Sequence, residues 1–167
     1  NMTLISADDI VKGLNAGILK LIENSSPNCV FEILFTLLEK YQQQAITAEE
    51  ERGAGKFAGI VVKCIIKLTR ALRSLLPHLD VKALLRTLHA HFLLHKAQRD
   101  DLGVKSIKTI LNELVCIKGE LITQYLDHIP GEKDPLFISC VTKYLLNRHA
   151  EGRAGEGVSA QTDRPVL

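Results

Sequence analysis

Three histidines crowd one short stretch, LHAHFLLH, as His89, His91 and His95. His91 and His95 stand four residues apart, a spacing that on a helix could turn two imidazoles toward one metal ion. No acid or cysteine joins them at a useful spacing, and His95 lies beside the apolar Leu88/Phe92 positions. The group reads as a surface or half-buried histidine cluster, and no metal ligand set is assigned. Cys29, Cys64, Cys116 and Cys140 stand singly, each inside an apolar run and none in a C-x-x-C pair. They are expected to be reduced, buried small hydrophobes of a cytosolic protein. Ser6, Ser26, Ser74 and Ser106 fall at caps or on helices, with no G-x-S-x-G turn. No glycine-rich loop follows a strand, because no convincing strand exists to carry one. Glu49, Glu50 and Glu51 form a run of solvated charge rather than an enclosed carboxylate pair. No catalytic residue and no cofactor is assigned, and an enzyme is not expected.

The bases are a clearer signal. Lys63, Lys67, Arg70 and Arg73 fall on one face of the segment KFAGIVVKCIIKLTRALRSLL, opposite an apolar stripe. Lys82 and Arg86, then Lys105 and Lys108, add to the positive surface. The plain reading is a solvated helix face, and the functional one a patch for an acidic protein surface. A net charge of only +2 argues against a general nucleic-acid binder. No aromatic interleaves the bases to stack on single strands. No apolar run reaches the ~18 residues of a membrane span, so neither nucleic acid nor membrane is expected as a partner. The first residues lack the basic and apolar regions of a signal peptide, and the start reads as that of an excised piece.

These groups must be held by helices. The chain has no Trp and few aromatics, so Leu, Ile, Val and Ala fill its core, and its apolar positions recur at three and four residues. Residues 1–5 read as a leader. A capping-box-like start at Ser6 and Asp9 opens a first helix ending near Asn24, with a stripe of Ile10, Leu14, Ile18, Leu21 and Ile22. Gly13 and Gly17 are expected to admit a neighbouring helix closely. Ser26 and Pro27 start a second helix, to about Gln44, burying Val30, Ile33, Leu34, Leu37, Leu38 and Tyr41. Ala45–Gly55 is expected to be the longest internal loop. The third helix, Lys56–Leu76, buries Val61, Cys64, Ile65, Leu68, Leu72 and Leu75.

Asp80 is the N-cap of a fourth helix, to about Lys96, burying Val81, Leu84, Leu85, Leu88 and Phe92. A fifth, from about Val104 to Lys118, buries Ile107, Ile110, Leu111, Leu114 and Ile117, and Gly119 closes it. A short sixth helix spans about Glu120 to Asp127. A seventh, about Pro135 to Arg148, buries Phe137, Ile138, Val141, Leu145 and Leu146. The remainder, residues 150–167, reads as a flexible tail or linker beyond a folded body of residues 6–149. The long joints Ala45–Gly55, Ala97–Gly103 and Asp127–Asp134 alternate with short ones, which places all three along one edge. The fold class is therefore all-α, an antiparallel HEAT-type helical solenoid of about seven helices. A globular seven-helix bundle is the alternative.

Five pieces in order carry a family resemblance: IVKGLNAGILKLIE, GIVVKCIIKLTR, VKALLRTLH, VKSIKTILNELVCIKGELI and LDHIP. Together they resemble the C-terminal helical domain of the chTOG / Mini spindles / MOR family of microtubule polymerases, over about Asp9 to Arg148. The resemblance implies a TOG-like HEAT-repeat fold, no catalysis, and work at microtubule plus ends, spindle poles or centrosomes, in the cytoplasm and on the cytoskeleton. It implies tubulin, the microtubule lattice or a coiled-coil adaptor protein as partner. TOG domains hold tubulin with loops along one edge, and here Lys56, Lys63, Arg99, Lys105, Lys108 and Lys133 are the candidate contacts in or beside that edge. The chain departs from the pattern in having no Trp and an acidic first loop, which favours an adaptor over tubulin held in the usual way.

Overall fold

The computed structural model describes residues 24–43, 48–97 and 101–156, together with Gly13, Ala16, Gly17 and Lys20, which are helical. Among the described residues the chain is all-α, with seven α-helices and one 3₁₀ turn, as the TOG-like HEAT-type class requires. It divides into two compact units, residues 1–84 and 85–167.

In the first unit α1 (Pro27–Gln43) and α2 (Ala48–Arg70) pack along one another. Their joint of only four residues makes them antiparallel neighbours. The α1 stripe is Phe31, Leu34, Phe35 and Leu38, all buried, whereas Ile33 is 57 % exposed. The expected stripe included Ile33 and passed over both phenylalanines. At about 100° per residue Ile33 points away from the arc that Phe31 and Phe35 occupy, and two aromatic rings bury more apolar area than one isoleucine. In α2, Val61, Cys64, Ile65 and Leu68 are buried as expected, together with Ala58, and Leu72 just beyond it is buried too.

The expected loop Ala45–Gly55 is corrected: α2 begins at Ala48. Alanine, glutamate and arginine are strong helix formers, and Glu49, Glu50 and Glu51 sit where the helix dipole favours negative charge. These gains outweigh Gly53 and Gly55, each costing about 1 kcal/mol relative to Ala. The third helix is also not continuous to Leu76. It breaks at Ala71, and α3 (Leu72–Leu75) and a 3₁₀ turn (Leu76–His78) follow. Thr69 Oγ1 donates back to the Ile65 carbonyl at 2.7 Å, and Ser74 Oγ to the Ala71 carbonyl at 2.8 Å. Such back-bonds bend helices, and Pro77 then ends the run.

Asn28 ties the start of α1 to the next joint. Its Nδ2 donates to the Asp80 carbonyl at 2.7 Å, and its Oδ1 accepts the Asp80 N–H at 2.9 Å. Asp80 Oδ1 accepts the Ala83 N–H at 3.0 Å, which makes it the expected N-cap of α4 (Val81–His95).

In the second unit α5 (Leu102–Lys118) packs against α6 (Leu121–Leu126) and α7 (Pro135–Glu156). Val104, Ile107, Ile110, Leu111, Leu114 and Val115 of α5 are buried, with Ile122, Leu126, Phe137 and Val141. Phe137 meets His89 and Phe92 edge-on, with ring centroids 5.1 and 5.4 Å apart. Leu146, expected inside, is 64 % exposed, because it lies half a turn from the Phe137/Val141 arc. The last helix runs to Glu156, eight residues past Arg148. Gly119 adopts φ 58°, ψ −138° and closes α5.

The first-helix stripe Ile10, Leu14, Ile18, Leu21 and Ile22, its Ser6/Asp9 cap and the leader lie outside the described residues. Gly13 and Gly17 are exposed, and nothing described lies within 4 Å of where a Cβ would stand. The close helix approach expected there is not seen.

Candidate partner-binding surfaces

The six candidate contacts divide between the units. In the first, Lys56 and Lys63 are exposed on α2 and make no hydrogen bond or ion pair with a described residue. They stand on the same helix face as Lys67 and Arg70, also exposed. Lys67 acts on its own helix only through its field, which pulls the Cys64 thiol down weakly while burial, the larger influence, pushes it up. In the second unit, Lys105 and Lys108 are exposed on α5 one turn apart, and Lys105 is already engaged in an interaction. Lys133 Nζ lies 3.0 Å from Asp127 Oδ1, so part of its charge is spent within its own loop. Arg99 lies outside the described residues. Within its own unit, Lys56 shares a helix with Lys63, and Lys105 shares one with Lys108. The first of the long joints expected on the partner edge is shortened, because α2 begins at Ala48.

The second unit places its buried polar groups at helix starts. Asp101 Oδ1 accepts the Val104 N–H at 2.9 Å and caps α5, while its Oδ2 lies 3.3 Å from His95 Nδ1. Asp134 Oδ1 accepts the Leu136 and Phe137 N–H groups at 2.9 and 3.3 Å and caps α7. Its Oδ2 pairs with Lys96 Nζ. The Asp134 N–H donates to His89 Nε2 at 3.1 Å. His89 and Lys96, from α4 and the residue just past it, thus hold the capping aspartate from two sides. The Lys96 hydrogen bond, ahead of the opposing effect of burial, holds the Asp134 carboxyl below the usual range. Burial holds the His89 imidazole neutral, with Asp134 opposing and Lys96 adding to the shift.

So two of the three histidines are fold contacts: His89 is buried as an acceptor and His95 faces a carboxylate. The sequence offered a sign of this that went unread. Asp134 before Pro135, and Asp101 just before the α5 periodicity, are each a cap residue at a helix start. Of the cysteines, Cys64 is buried, Cys116 and Cys140 are half-buried, and Cys29 is exposed, against the expectation that all four are interior. Cys29 lies near the start of α1, off the Phe31/Leu34/Phe35 arc.

Short helices packed side by side, all-α among the described residues, define a helical-repeat architecture. No protein-family model matches the chain, and no solved structure matches it. The chain is 30% identical over 138 residues to protein MOR1 of Arabidopsis thaliana, an alignment covering 75% of this chain and 7% of that protein. The rice protein MOR1 (Oryza sativa subsp. japonica) matches over the same extent at the same identity. The chain thus spans a small fraction of the length of these relatives, and within it lies a TOG-like helical region of the MOR family, the family its sequence resembles.

Proposed function

We propose that this chain is a non-enzymatic module of a microtubule-associated protein. In this reading it binds tubulin, the microtubule lattice or a coiled-coil adaptor, and so helps to place its parent protein at plus ends, spindle poles or centrosomes. The likeness to the two MOR1 proteins across three quarters of the chain carries the reading. The exposed cations Lys56, Lys63 and Lys108 supply a chemistry suited to an acidic protein surface. The working body is residues 6–149, with its last helix continuing to Glu156. No helix among the described residues is long and apolar enough to cross a membrane, in keeping with a partner on the cytoskeleton.

The test is co-sedimentation of the purified chain with polymerised microtubules, beside gel filtration with tubulin dimers and with a candidate acidic coiled coil. Binding to either tubulin form, lost at raised salt, supports direct contact. Binding to the coiled coil alone keeps the adaptor. A second reading is a helical spacer that packs on a neighbouring domain without touching tubulin. The exposed leucines of α7, Leu136 and Leu146 at 59 % and 64 %, favour it. Failure to bind any of the three partners would leave this spacer reading.

A further inference from the structure

The outer face of α2 carries a row of positive charge, with Gly59 and Ile60 between its first two members, Lys56 and Lys63. At about 100° per residue, Lys56, Lys63, Lys67 and Arg70 fall within an arc of about 60°, roughly opposite the buried Ala58, Val61, Ile65, Leu68 and Leu72. The row is about 21 Å long, from 14 residues at about 1.5 Å each. All four side chains are exposed, and none is paired with a described residue. From Gly55 to Arg70 the sequence contains no acid.

Ordinary helix physics accounts for only half of this row. Lys67 and Arg70 lie in the last turn, where the helix dipole favours cations. Lys56 and Lys63 lie too far from that end to gain from it. The spacing also works against the helix, since Lys63 and Lys67 are like charges four apart and Lys67 and Arg70 three apart. A row that weakens its own helix when alone is relieved by an acidic occupant.

We propose that this face of α2 is a docking surface for an acidic polypeptide segment, with carboxylates meeting Lys56, Lys63, Lys67 and Arg70 in turn. The occupant is a peptide rather than a single-stranded nucleic acid, because Phe57, the one aromatic between Lys56 and Arg70, is half-buried and off the row, so no base can stack there. The proposal concerns the first unit alone and stands whether or not the chain meets microtubules.

Fluorescence anisotropy of a labelled oligoglutamate peptide of about seven residues, long enough to span the row when extended, tests it on the full chain. The expected result is saturable binding that weakens at raised salt. Lys63→Glu/Lys67→Glu should weaken it about tenfold or more, equivalent to about 1.4 kcal/mol. The same charge change made elsewhere, as Lys40→Glu/Lys143→Glu, should alter it less than about twofold. Circular dichroism checks that both variants remain helical; since all four positions are exposed, both should. Absence of oligoglutamate binding, equal losses in the two variants, or tighter binding of a duplex DNA of matched length would each overturn the proposal.

Discussion

The two units use charge in opposite ways. In residues 85–156 the charged and titratable groups near helix starts are drawn inward: Asp101 faces His95, and Asp134 is gripped by Lys96 and His89. On α2, Lys56, Lys63, Lys67 and Arg70 stand outside with no described partner. Carboxylates with capping work to do can be buried, because backbone N–H groups and a cation replace the water they lose. A lysine with no such work stays in solvent, where its charge adds little to stability but remains available for a partner. Charge therefore fixes helix starts in the second unit, and on α2 it is left in solvent.

The largest expected effect breaks the second unit at its centre. Phe137 is fully buried and edges both His89 and Phe92. Phe137→Ala should cost about 3–5 kcal/mol, read as a lower midpoint in urea unfolding. Asp134→Ala should come next, at about 2 kcal/mol, since it removes the α7 cap and leaves Lys96 without its partner, while the backbone N–H that His89 accepts is kept. Gly119→Ala should cost about 1–3 kcal/mol, because φ 58° with ψ −138° is a backbone region that residues with a Cβ avoid. The added Cβ would also meet Arg148 Nη1, but that flexible tip can move aside, so the backbone sets the cost. Thermal unfolding of the single variant checks it.

The smallest effect sharpens the same contrast through pH. His89 is held neutral in the fold, so its pKa lies below the ordinary value of about 6.5. The unfolded chain then binds more protons than the native one as pH falls below about 6.5, and stability should decline there. Asp134, also held low, adds stability that is present above the usual carboxylate range and is lost on further acidification. A pH series of urea midpoints should show both declines, and His89→Gln should flatten the first alone.

The sequence made the α4 stripe plain, since Val81, Leu84, Leu85, Leu88 and Phe92 repeat without a rival set and all five are buried. The Asp80 cap and the Gly119 closure were equally legible, because each depends on a single residue type at a helix end. The α1 stripe was harder, as Ile33 and the pair Phe31/Phe35 offered two competing faces that only packing against α2 decides. The helix from Ala48 to Gly55 was hidden by its glycines, although its alanines and glutamates favoured it. The break at Ala71 leaves no mark on the apolar periodicity, which continues through Leu72 and Leu75. The grip of His89 and Lys96 on Asp134 joins residues 45 and 38 apart, and no local pattern announces such a pairing. Of the candidate contacts, Lys56 and Lys63 emerged with their charge uncommitted, whereas Lys133 is paired and Lys105 engaged.

Urea unfolding of two charge variants side by side, followed by far-ultraviolet circular dichroism, tests the division of roles most directly. Lys63→Glu/Lys67→Glu should leave the midpoint within about 0.5 kcal/mol of the parent chain. Asp101→Ala/Asp134→Ala should lower stability by about 3 kcal/mol or more, through two lost caps and their stranded partners. Equal destabilisation by the two variants, or a loss confined to the lysine pair, would contradict the account.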